Sequence, residues 1–106
     1  MDYDPSSLEL RETAIFSAWL ESLRDRRARD RIKERLRRLS LGLVGDTRPI
    51  GCGVVELRID CGPGYWIYYI KVRRNLMVIL MGGDKSSQSR DIPLAIKLAE
   101  YIEVSD

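Results

Sequence analysis

Lys85 stands behind two glycines and ahead of small polar residues, in the run Gly82-Gly83-Asp84-Lys85-Ser86-Ser87-Gln88. That run follows six apolar residues, Leu76 to Met81, which read as a buried strand. A lysine at the lip of a strand, with pliable backbone behind it, is placed to meet an anion. The same string also suits a solvated strand-to-helix turn. Arg58 alternates with Val55, Leu57 and Ile59, so it points away from them. Trp66 and Tyr68 can share that outer face on the next strand, and Arg90 lies beyond Lys85. Cations that hold phosphate beside aromatics that stack a base are the equipment of single-stranded nucleic-acid binding. The two aromatics equally suit packing beneath a partner or the last helix.

Charge along the chain is uneven. Arg24 to Arg38 holds nine basic residues and three acids, a local charge of +6, so the remainder carries −4 against an overall +2. Such a local field favours polyanions. The planar fork of arginine suits phosphate, and Arg27, Arg31 and Arg38 are candidate RNA contacts. A solvated helix face with internal ion pairs is the competing reading.

Other chemistries are disfavoured by what is missing. The chain has no histidine and no Cys-x-x-Cys, which argues against a zinc site; no metal and no cofactor are expected. Cys52 and Cys61 fall near the ends of one expected strand, too far apart to bridge. There is no apolar run long enough to span a membrane, and the acidic start, Met1-Asp2-Tyr3-Asp4-Pro5, lacks a signal core. A cytoplasmic protein is expected. The 106 residues read as a single domain, 1–106, with enough chain for one core.

The elements that must position these residues follow from periodicity. A short strand is expected over Ser7 to Arg11. Thr13 can cap a helix from Ala14 to about Leu23, with Ile15, Trp19 and Leu23 as its buried stripe. Asp25 can cap a second helix to about Leu43, with Ala28, Ile32, Leu36, Leu39 and Leu43 inward. Asp46 to Gly51 reads as a loop. Strands follow over Val55 to Ile59, Tyr65 to Val72 and Leu76 to Met81, separated by Gly62-Pro63-Gly64 and Arg73-Arg74-Asn75. Asp91 can cap a last helix with Pro93 in its first turn and Leu94, Ala95, Leu98, Ala99 and Ile102 inward. The order predicts an α+β fold: an antiparallel sheet with two N-terminal helices packed on one face, plus a C-terminal helix. All helices are expected on one face, leaving the other open for a site.

Val55-Glu56-Leu57-Arg58-Ile59, Gly62-Pro63-Gly64-Tyr65, and the Gly82 to Gln88 run with Arg90-Asp91-Ile92 resemble the RelE/ParE superfamily, most closely its HigB-like branch of addiction-module killer proteins. The similarity runs from about Leu8 to Ile102. It implies a RelE-like fold and the toxin of a toxin–antitoxin pair. Such toxins enter the ribosomal A site and cut messenger RNA without a metal. It also implies a helix-turn-helix antitoxin as partner, neutralising the toxin and repressing the operon with it. By position, Lys85 matches a catalytic cation that stabilises the phosphate, and Arg58 a basic strand residue that clamps it. Tyr68 is a weaker candidate for stacking or proton transfer.

One position departs from the pattern. The family's Gly-Pro-Gly-Tyr is usually followed by arginine; here Trp66 follows. Losing a transition-state donor typically costs on the order of 10²–10³ in rate. A weakened toxin, a substitute cation nearby and a base-stacking tryptophan all fit. A ParE-like inhibitor of DNA gyrase and a binding module without nuclease activity are the alternative functions.

Overall fold

The computed structural model describes residues 8–102. Its elements are β1 (Glu9–Glu12), α1 (Ala14–Ser22), α2 (Arg26–Ser40), β2 (Thr47–Gly51), β3 (Val54–Ile59), β4 (Tyr65–Arg73), β5 (Leu76–Asp84) and α3 (Gln88–Ala99). The strands form one five-stranded sheet in the order β1-β5-β4-β3-β2. The class is α+β, and the sheet is mixed where a purely antiparallel one was expected. β2 to β5 form an antiparallel meander, whereas β1 runs parallel to β5, with Glu9 opposite Leu76 and Glu12 opposite Ile79. No hairpin turn sets the direction of β1; the long path through α1 and α2 does, and sequence carries no signal for that. Ser7, the expected start of this strand, lies outside the described residues.

Helices cover both faces, which corrects the expectation of a single helical face. On one face α1 and α2 bury Phe16, Leu20, Ala28, Ile32, Leu36 and Leu39 against Leu57, Ile59, Ile67, Tyr69 and Ile79. Each such large side chain contributes roughly 1.5–3 kcal/mol on full burial. On the other, α3 lays Ala95 and Ala99 against Tyr68, Ile70, Leu80 and Met81. Both large faces of β4 and β5 are apolar, so both require cover.

The caps of the first two helices form as the side chains predict. Thr13 Oγ1 accepts from Phe16 N at 3.0 Å and donates to Leu80 O at 2.6 Å, tying α1 to β5. Asp25 accepts from the amides of Arg27 and Ala28. The buried stripe of α1 is rotated from its expected position: Phe16 and Leu20 are buried, Trp19 and Leu23 half-buried, and Ile15 exposed. Leu43 is exposed too, because α2 ends at Ser40.

Two further corrections place the site. The expected loop at 46–51 contains β2, an edge strand that accommodates Pro49 because its outer side needs no N–H. α3 begins at Gln88, three residues before the expected cap, so Asp91 is a buried residue of its first turn and Pro93 lies deeper in the helix. Pro93 supplies no N–H to the Ser89 carbonyl, and Ser89 is exposed to water. Leu94, expected inward, is exposed. No helix among the described residues is long and apolar enough to cross a membrane.

Candidate functional site

Two rows of side chains cross the α3 face of the sheet. In the first, Arg58 of β3 stands opposite Trp66 of β4, which stands opposite Gly83 of β5. In the second, Arg48 of β2 stands opposite Glu56 of β3, which stands opposite Tyr68 of β4. α3 covers only part of this face. Beside its first residue, Gln88, a cleft of about 240 Å3 opens over Arg48, Glu56, Arg58 and Trp66, with Asp46 and Thr47 completing its wall.

Glu56 organises this cleft. It is 3% exposed, and both its oxygens are engaged. Arg48 Nη2 donates to Oε1 at 3.0 Å, and Gln88 Nε2 donates to Oε2 at 3.1 Å. Desolvating a carboxylate costs several kcal/mol, which these donors offset. Each oxygen retains acceptor capacity beyond the bond it makes. The Arg48 side chain is 62% exposed, so its charge stays hydrated while its tip reaches the buried acid.

Arg58 is held more loosely. Its side chain is 55% exposed, and Nη1 lies 3.8 Å from Asp46 Oδ2, an exposed pair worth little. Its backbone N–H donates to the Asp46 carbonyl at 2.9 Å, which fixes the main chain beneath an exposed guanidinium. Trp66, half-buried, packs at the border of the α3-side core and shows the remainder of its ring to the cleft.

Tyr68 sits beneath that surface. Its side chain is fully buried, and its hydroxyl lies near the Glu56 carboxylate without making a well-aligned hydrogen bond. Burial pushes its ionisation well above the usual tyrosine range, and the negative charges of Glu56 and Asp91 add to the effect. The alternative packing reading of this aromatic is the one its position fits.

The glycine pair has a packing cause. A Cβ on Gly82 would collide with the Trp19 ring, and one on Gly83 would collide with Asp91 Oδ2. α1 closes on one side of this stretch of β5 and α3 on the other. Asp91 accepts from Ser87 Oγ at 2.5 Å, which pins the turn carrying Lys85. Lys85 itself is exposed on that turn, beyond the end of the strand where Gly83 meets Trp66, and its side chain does not line the cleft. Its neighbour Asp84 accepts from Ser86 Oγ and Ser86 N, which hold its carboxyl below the usual range.

No family model matches the chain. An uncharacterized protein of Haemophilus influenzae is 39% identical over 96 residues, covering 91% of this chain and 97% of the relative. The chain belongs to the same family as that protein. The shared length takes in at least most of the strands that build the cleft in this member of the family.

The remaining candidates are dispersed. Arg90 is exposed on α3. Arg27, Arg31 and Arg38 are exposed on α2, across the sheet from Arg58 and Trp66. Arg38 lies 3.6 Å from Glu34, whose carboxyl is held low chiefly by its hydrogen bond with Arg37. Cys52 and Cys61 are both free thiols. Among the described residues, no three cysteine or carboxylate side chains gather as they would around a metal ion. Arg48, Glu56 and Gln88 were not among the expected site residues. Proline and glycine disguised β2, and with it Arg48. Glu56 shares the face of Arg58 by strand period, but its burial was not legible, because that face was expected to be open and α3 covers part of it.

Proposed function

We propose that this chain is a RelE/ParE-type toxin of the HigB-like branch, a ribosome-dependent endonuclease of messenger RNA neutralised by a helix-turn-helix antitoxin. The motif series carries the resemblance. The observation that supports it most is the placing of Arg58 directly beside Trp66 on a cleft that Arg48 also enters. A loosely paired guanidinium next to an accessible indole suits one nucleotide, its phosphate on the cation and its base on the ring. A 2′-hydroxyl that loses its proton to water attacks the adjacent phosphate, the P–O5′ bond breaks and the 5′-oxygen takes a proton from water, leaving a 2′,3′-cyclic phosphate and a 5′-hydroxyl. Negative charge builds on the phosphoryl oxygens on the way, and Arg58 is the loosely paired cleft cation that can meet it. Lys85, on its pinned turn at the same end of the sheet, adds charge when an RNA strand extends beyond the cleft. Arg90 and the α2 arginines Arg27, Arg31 and Arg38 supply outlying contacts to ribosomal RNA, weakening with salt. The toxin acts on the ribosome with messenger RNA in the A site, in the cytoplasm.

Induction without antitoxin tests this reading through growth and transcript 5′ ends. Cuts inside translated codons are expected, with Arg58→Ala and Lys85→Ala relieving the arrest. Undiminished arrest in both variants removes the site assignment. Trp66 in place of the family's arginine favours a second reading, an antitoxin-binding module without nuclease activity. Ribosomes left uncut even by Trp66→Arg protein would select it, and intact transcripts with DNA damage would select a gyrase inhibitor.

A further inference from the structure

The cleft has a carboxylate at its base and an indole on its wall, and we infer that it selects guanine in a single-stranded RNA. This rests on the RNA-binding reading above and adds to it the identity of the base. Glu56 is buried, lines the cleft and is held by Arg48 and Gln88 with acceptor capacity left on both oxygens. Two adjacent acceptors call for two adjacent donors. Guanine alone of the four bases offers them on one edge, as N1–H and the 2-amino group. Adenine and cytosine set a ring-nitrogen acceptor beside their amino group, and uracil flanks its single N–H with two carbonyls. Each of these would direct a lone pair at a buried carboxylate, an arrangement that costs far more than a missing contact.

The remaining groups agree with this assignment. Arg48, mostly exposed and anchored on Glu56, is the side-chain type that reads guanine O6 and N7. Trp66 supplies a ring for stacking whatever the base. At about 240 Å3 the cleft is smaller than the roughly 300–1,000 Å3 of drug-sized sites, which suits a single base.

The test is equilibrium binding of short single-stranded RNAs that differ at one central base, followed by fluorescence anisotropy. Guanine is expected to bind roughly tenfold or more tighter than adenine, cytosine or uracil. Inosine, which lacks the 2-amino group, is expected to fall several-fold on the unaltered protein. Glu56→Gln, which replaces one acceptor by a donor, is expected to bring guanine and adenine within about twofold of each other. Equal affinity for all four bases, inosine matching guanosine, or guanine preference surviving Glu56→Gln would each overturn the inference. Guanosine monophosphate binding as tightly as the RNA would also overturn it, placing the site among free-nucleotide sites. Because no cleavage is read, guanine-selective binding by a protein that leaves transcripts intact sustains this inference while removing the nuclease. Transcript cuts with no preference in binding do the reverse.

Discussion

The two faces of the sheet carry charge in opposite ways. On the α2 side the arginines are many and mostly exposed, and Arg37 and Arg38 share Glu34 of their own helix, Arg37 at 2.7 Å. Beneath them the contact with the sheet is apolar and complete. On the α3 side the charges are few, but Glu56 is buried and Arg48 and Gln88 converge on it from an edge strand and a helix start. Exposed pairs are worth little and hold no fixed geometry. A desolvated carboxylate held from two sides fixes the position of everything around it. Charge density therefore marks where a polyanion can be attracted, and burial marks where it can be read.

The largest expected effect probes the apolar face. Ile32 is fully buried between α2 and the sheet. Ile32→Ala should cost about 2–5 kcal/mol in urea denaturation, since a dry, close-packed contact relaxes poorly around a cavity. Arg31→Ala, one residue away and exposed, should stay within about 0.5 kcal/mol. Comparable losses for the two would mean that the arginine surface carries structure after all, and the contrast between the faces would fail.

Next comes the glycine pair, where the faces come closest. Alanine at Gly82 must displace Trp19, and alanine at Gly83 must displace the buried Asp91. Overpacking of this kind costs about 1–3 kcal/mol in each case. The two should differ in kind. Gly83→Ala pushes on Asp91 and through it on Ser87 and the start of α3, so it should also disturb the Gln88 bond to Glu56. Gly82→Ala acts on α1 alone. RNA binding measured above the unfolding transition's onset is uninformative, so affinity should be compared well below it: reduced for Gly83→Ala, preserved for Gly82→Ala.

An effect of similar size divides the cleft's own pair. Arg48→Ala leaves Glu56 buried with one donor fewer and should cost about 1–3 kcal/mol. Glu56→Gln removes the buried charge while keeping an acceptor, and leaves an arginine that water already solvates. It should cost less than Arg48→Ala. The reverse order would mean that Arg48, and not the acid, is the member that needs its partner.

Much of this architecture was legible in the chain and some was not, for definite reasons. Caps are local chemistry, so Thr13 and Asp25 were readable from side chains alone. The strand period placed Arg58 and Trp66 on one face, and the register makes them direct neighbours. The direction of the parallel edge strand was not readable, because nothing local relates β1 to β5, from which two helices and three strands separate it. Nor was the place of α3: Ala95 and Ala99 mark a helix that approaches closely, without saying which face it approaches. The glycine pair illustrates the remaining gap. Its sequence context fits a pliable loop, whereas its cause is the arrival of Trp19 and Asp91 from two other elements.

The smallest effect has the opposite sign and concerns Tyr68. A buried hydroxyl that meets its neighbouring carboxylate, Glu56, only in poor alignment has given up its bonds to water for little within the protein. Tyr68→Phe should therefore stabilise by about 1 kcal/mol. It should also change the alkaline limb of stability. Below about pH 10 the hydroxyl keeps its proton in both folded and unfolded chains and contributes no slope. Above that, the unfolded tyrosine ionises while the folded one, raised by burial, does not. Stability must then fall as pH rises. Tyr65 and Tyr69 are raised by burial as well, so the variant should keep part of the slope. Denaturation midpoints at about pH 9 and about pH 11 would measure it, with a shallower fall for the Tyr68→Phe variant than for the unaltered protein. A variant both more stable and still able to arrest growth would make Tyr68 a floor for the cleft. A variant more stable but harmless would give that hydroxyl a part in the reaction.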